Sequence, residues 1–123
     1  KPMFFAKSER PDQNPCYLLG LPGNPAAVYI AMQIYVSTLI STVQGQKQLP
    51  QWFSAVMSHD LKADSRERFL RMALSFDSGM LKLSSLPKQQ SHMLSNLMQA
   101  NCIVRIPAAQ NIQAGQILQG LFI

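Results

Sequence analysis

Apolar and polar positions follow two different rhythms along this chain. Up to residue 43 the apolar residues come in long runs, and beyond residue 50 they come in short, partly alternating segments. Residues 3–7, MFFAK, predict a short strand, and the polar stretch 8–15, with Pro11 and Pro15, a loop or turn. Residues 16–20, CYLLG, are a continuous apolar run of strand length. Such a run suits a strand covered on both faces, as in a parallel or mixed α/β sheet. A rigid corner follows, Leu21-Pro22-Gly23-Asn24-Pro25. Asn24 is a good N-cap, because its side-chain oxygen can accept from the first-turn N–H groups. Pro25 then falls at the first helical position, where a missing N–H costs nothing. Helical spacing continues through Val28, Met32, Val36 and Ile40, flanked by Ala27, Ala31, Ile34, Tyr35 and Leu39. The apolar face is wide, which predicts a mostly buried helix ending near Gly45.

Residues 46–51, QKQLPQ, read as a boundary. Beyond them, segments 52–61, 66–76 and 80–86 are short and partly alternating, with Asp77-Ser78-Gly79 a strong turn between the last two. Residues 91–100 have the spacing of a short helix in Met93, Leu94, Leu97 and Met98. A strand is predicted over 102–107, stopped by Pro107, and a last one over 116–123. The pattern thus predicts an α/β remnant of strands and one buried helix, residues 1–46, followed by a small, mostly β domain, residues 47–123. A strand pair and one helix cannot bury a sheet face alone. Residues 1–46 are therefore expected to pack on the β-domain, on another copy, or on further polypeptide.

Composition sharpens this picture. The 123 residues are 47% hydrophobic and only 14% charged, which implies a large core or apolar surface meant for a partner. The net charge of +5, from 11 basic and 6 acidic residues, tolerates an anionic ligand. It is too dispersed for nucleic acid, since no two basic residues are adjacent. The longest apolar string, 25–43, carries Gln33, Ser37, Thr38, Ser41 and Thr42, which reads as too polar for a membrane span. Cys16 and Cys102 sit in apolar strings without metal or redox spacing and read as two buried reduced thiols, in keeping with a cytoplasmic protein. The opening Lys-Pro-Met-Phe-Phe suggests a piece of a longer protein.

Three places could carry chemistry. Around Gly20, Gly23 and Asn24, free N–H groups and the helix dipole would favour a phosphate or oxyanion. The alternative is a tight, well-capped corner, and no Gly-Lys-Ser/Thr follows to make it a P-loop. Arg66, Arg68 and Arg71 form the densest basic cluster. Alternation puts Arg71 on a face with Phe69, where a guanidinium could fork onto a carboxylate or phosphate, or simply be salt-bridged. Ser91 and His92 read as an N-cap and its neighbour rather than a nucleophilic pair. His59 and His92 could ligate a metal only together with carboxylates, of which Asp60 beside His59 is a weak hint, and no metal site is assigned.

Several of these motifs together resemble one family. GLPGNPAAV (20–28) resembles the Leu-Pro-Gly-Asn-Pro motif of the MoeA family of molybdopterin molybdenumtransferases, which includes the matching E domain of eukaryotic gephyrin. In order along the chain, KPMFFAK resembles the strand after the family's Lys-Pro-Gly-Lys-Pro segment. RERFLR resembles its Gly-Arg-x-(Asp/Glu)-Phe-x-Arg strand. QSHMLSNLMQANCIVRIP resembles its Gly-Ser-His to Ala-Asn-Cys segment, and IQAGQILQGLFI its ending. Gln90 stands where the family has Gly, and Arg68 where it has an acid.

The resemblance implies that residues 1–46 end a molybdopterin-binding α/β domain and that 47–123 form the C-terminal β-barrel-like domain. It implies an enzyme that uses Mg2+ to insert molybdate into adenylated molybdopterin and releases AMP, in a cytoplasmic protein that forms a homodimer. It places Pro22, Gly23, Asn24 and Pro25 in the cofactor-binding wall, and Arg71 and Ser91 in the catalytic cleft. This chain alone would be inactive and is expected to hold no cofactor, because acidic and lysine machinery lies upstream in the family. A rival reading is a non-catalytic ligand-binding or assembly domain of the same fold.

Overall fold

The computed structural model describes residues 3–9, 11–46, 50–87 and 98–123. Strands β1 (Phe4–Ser8) and β2 (Cys16–Gly20) pair antiparallel, in register from Phe4 opposite Gly20 to Ser8 opposite Cys16. The expected β2, covered on both faces of a parallel or mixed sheet, is not what this chain builds. Tyr17 and Leu18 are exposed, because a two-stranded ribbon has no second layer of its own. Cys16 is correspondingly half-buried rather than buried, while Cys102 is buried as expected.

Helix α1 runs from Pro25 to Val43, with one wider π turn over Met32–Val36. The hydroxyls of Ser37 and Thr38 donate to the carbonyls of Gln33 and Ile34, occupying acceptors within this turn. The helix ends as predicted. Gly45 takes φ +74, its N–H donates to Thr42 O, and the Gln46 N–H reaches back to Ser41 O. Glycine adopts that conformation without a Cβ penalty, so the chain turns off the helix axis here. Contrary to what its spacing predicted, the wide apolar face of α1 is not mostly buried. Only Ala26 and Ala31 are buried, and Met32, Tyr35, Ile40 and Val43 are exposed. By length and composition α1 is also apolar enough to cross a membrane, contrary to the expectation from its polar residues; core helices of soluble proteins pass the same test.

Strands β3 (Trp52–Met57), β4 (Arg68–Asp77), β5 (Met80–Ser85), β6 (Cys102–Ile106) and β7 (Ile117–Phe122) close a barrel in the order β3-β5-β4-β6-β7. Only the β3–β5 seam is parallel; every other neighbouring pair is antiparallel. The β4–β5 hairpin turns at Ser78 (φ +52) and Gly79 (φ +81), the two left-handed positions of a type I′ turn. Alternation sends one set of side chains inward. Ala55, Met57, Met72, Leu83, Cys102, Val104, Ile106, Ile112 and Leu118 form the buried core. Phe53 lies over Gly120 on the facing strand, and its ring packs on Phe122 at 4.5 Å between centroids. Burial of this interior is the main stabilising term of the barrel. The predicted helix over 91–100 falls almost wholly outside the described residues.

Candidate functional site

The proline-glycine corner is held by its cap. Asn24 is extended (φ −87°, ψ 122°), and its Oδ1 accepts from Ala26 N at 3.0 Å and Ala27 N at 3.3 Å. Its carbonyl accepts from Val28 N at 2.9 Å. Pro25 has no N–H to give, so the first-turn donors are already used inside the chain. An anion held by free N–H groups at this helix start is therefore not supported, and the capped-corner alternative is what forms. Gly20 has a separate reason: a Cβ there would come within 1.9 Å of the Phe4 ring. Gly23 is different again. A Cβ would meet nothing within 4 Å, its φ is not left-handed, and it is exposed. Pro22 and Asn24 are half-buried beside it, and Pro25 is exposed.

The three arginines part company. Arg66 is exposed, and its backbone N–H caps onto Asp64 Oδ1 at 3.1 Å. Arg68 donates to Lys62 O at 2.9 Å and lies 3.8 Å from Asp64. Arg71 is only 2% exposed. It shares its parity with Phe69, as alternation predicted, and so lies on the outer wall while Met72 faces the core. Cross-strand pairing carries that outer row from Arg71 to Ile103, Leu121 and Trp52. Ile103 and Leu121 are buried too, so this side of the barrel is covered rather than bathed in water. Burial lowers the pKa of the Arg71 guanidinium by disfavouring its charged form, though it stays protonated at any physiological pH.

Two grooves border the helix. One, of about 410 Å³, runs between α1 and the barrel and is lined by Gln33, Ser37, Thr38, Ser41, Gln51 and Leu121 among others. The second, also about 410 Å³, is apolar and lies between α1 and the β1–β2 ribbon, on Phe4, Phe5, Leu19, Tyr35 and Leu39. Arg71 lines neither groove, and the corner residues line neither. Ser91 and His92 lie outside the described residues. His59 Nε2 meets Ser85 Oγ at 2.9 Å, and Asp60 accepts from Ala114 N at 2.8 Å. Among the described residues no group of three or more His, Cys, Asp or Glu could hold a metal ion.

Pattern reading missed the side chains that clamp backbone. Asn101 binds both the N–H and the carbonyl of Leu74, and Asn111 accepts from Ala63 N. An asparagine just before a predicted strand was the available signal for the first of these.

Residues 54–121 match the family model of the MoeA C-terminal region, domain IV. A Haemophilus influenzae protein named molybdopterin molybdenumtransferase is 33% identical over 121 residues, 94% of this chain and 29% of that protein. The molybdenum cofactor synthesis protein cinnamon of Drosophila melanogaster is 30% identical over 111 residues, 88% of this chain and 18% of its own length. Among solved structures, a molybdopterin biosynthesis MoeA protein of Pyrococcus horikoshii OT3 superposes with TM-score 0.63 at 17% identity, over 87% of this chain and 27% of that one. A molybdenum cofactor biosynthesis protein of Pyrococcus furiosus does so with TM-score 0.64 at 22% identity, over 82% and 36%. The chain thus spans less than a third of the length of the curated relatives named here. Its closed barrel, its motif order and the family match over more than half its residues agree, and the chain belongs to the MoeA family in its C-terminal region.

Proposed function

We propose that the protein carrying this chain inserts molybdate into adenylated molybdopterin and releases AMP, in the manner of a molybdopterin molybdenumtransferase. The observation that carries this reading is continuous likeness, over 94% of the chain, to a protein of that name. The likeness runs through the corner and the barrel alike, not through the barrel alone. On this reading residues 1–46 end the α/β domain that binds molybdopterin, and 47–123 form the C-terminal domain.

The corner supplies a rigid wall. Pro22 and Pro25 fix two φ angles, and Asn24 holds the turn from within. Gly23 presents bare backbone where nothing in this chain needs it bare, which suits close approach by a ligand. Arg71 supplies a desolvated fork for an oxyanion, and lost water strengthens every charge-assisted bond it makes. Its burial means that a ligand reaches it only where its cover gives way. Ser91 is assigned to the same cleft. Magnesium would help neutralise phosphate charge, but the described residues offer it no cluster of ligands. The chain alone is inactive, and the complete protein works as a cytoplasmic homodimer.

Reconstitution of an apo-molybdoenzyme tests this, using the natural full-length protein with adenylated molybdopterin and molybdate. AMP release in step with recovered activity supports the reading; binding without turnover would instead favour a ligand-binding or assembly role. That second role has one observation in its favour, the uncharged apolar groove beside α1.

A further inference from the structure

Strand β4 changes partners at Met72. Residues 68–72 pair with β6, from Arg68 opposite Ile106 to Met72 opposite Cys102. Residues 72–77 pair with β5, from Met72 opposite Ser85 to Asp77 opposite Met80. Beyond Met72 the β6 edge of β4 has lost its strand. By register, Leu74 would next face residue 100.

Asn101 takes that place with its side chain. Its Oδ1 accepts from Leu74 N at 2.6 Å, and its Nδ2 donates to Leu74 O at 2.8 Å. This is the donor and acceptor pair that a peptide unit would offer. Its own backbone N–H donates to Met72 O at 3.2 Å, and its carbonyl accepts from Ile123 N at 3.2 Å. One residue therefore ties β4 on both sides of Ala73 and fastens the C-terminal residue after β7. All of this happens beside Arg71, the last residue of β4 before the change of partner.

We propose that Asn101 is a positioning residue for Arg71: it fixes the switch point of β4 and so sets how the guanidinium stands on the outer wall. This rests on the reading of Arg71 as an anion contact. An aliphatic residue at 101 would leave Leu74 to water at an exposed site, so the barrel still closes while β4 gains freedom at Met72.

The test is a double-mutant cycle in the natural full-length protein, with molybdate as the varied substrate. Asn101→Ala is expected to raise KM for molybdate roughly tenfold with a cooperative thermal transition retained, and to have almost no further effect in an Arg71→Met background. Asn101→Asp keeps the acceptor for Leu74 N–H but sets a carboxylate oxygen against Leu74 O where the donor was, and should raise KM as Ala does; it also serves if the Ala variant does not fold. Equal effects of the position-101 changes in both backgrounds, or none in either, overturn the proposal. If Arg71→Met itself leaves kinetics unchanged, the anion-contact reading fails and this one falls with it, an outcome distinct from additivity.

Discussion

Arg71 stands directly opposite Ile103 on the outside of the barrel, and both are shut off from solvent, at 2% and 0% exposure. A charged side chain on a covered outer wall distinguishes this row from the interior, where the buried residues described are apolar. Arg71→Ala removes packing as well as charge and should lower unfolding free energy by about 2–3 kcal/mol. Arg71→Met, closer in volume, should lose less than about 1.5 kcal/mol. Urea denaturation of the two variants checks the order.

Inside the barrel, Gly120 leaves room for Phe53. A Cβ at 120 would lie 2.5 Å from the Phe53 ring, and Phe122 packs on that same ring. Gly120→Ala should therefore cost about 1–3 kcal/mol. A second change, Phe53→Leu, should recover part of the loss, as thermal melts of the single and double variants would reveal.

Gly23 is the opposite case. With no neighbour within 4 Å and no left-handed φ, Gly23→Ala should leave stability unchanged or raise it by about 0.4–1 kcal/mol through the unfolded chain. If the corner is a ligand wall, the same variant in the full-length protein should bind molybdopterin at least about tenfold more weakly. Calorimetric titration beside a thermal melt separates the two effects.

Burial pushes the Cys102 thiol up from its usual 9.0 to about 11. The folded state thus holds its proton where the unfolded thiol has lost it. Stability from this group is complete below pH about 9 and drains away as pH rises through about 11, by up to about 1.4 kcal/mol per pH unit. Cys102→Ala should flatten that part of the alkaline limb, measured as the wild-type minus variant difference in denaturation midpoint.

Features set by a few adjacent residues were legible in the sequence. Asn24-Pro25 announces the cap, Gly45 the helix stop, Asp77-Ser78-Gly79 the hairpin and Pro107 the end of β6, because each acts through local backbone geometry. The burial of α1 and β2 was misread for a physical reason. An apolar face records that a surface needs cover, not that the same stretch of chain supplies it. The fates of the arginines were equally hidden. Arg68 and Arg71 lie three residues apart in one strand, yet Asp64 and Lys62 draw one aside while the other is buried beside Ile103. Closure through the parallel β3–β5 seam and the peptide-like use of Asn101 depend on residues far apart in sequence, where local pattern carries no signal.

The proposed function is molybdenum insertion by the full-length protein, with Arg71 in contact with the anion. Its most direct measurement is the molybdate-dependent activation of an apo-molybdoenzyme by the natural full-length protein, wild type against Arg71→Met. The account predicts that wild type restores activity with matching AMP release, and that the variant, still folded, is slower by roughly 10- to 100-fold. Equal activity in the two would contradict the role given to Arg71, and no activation by wild type would contradict the function itself.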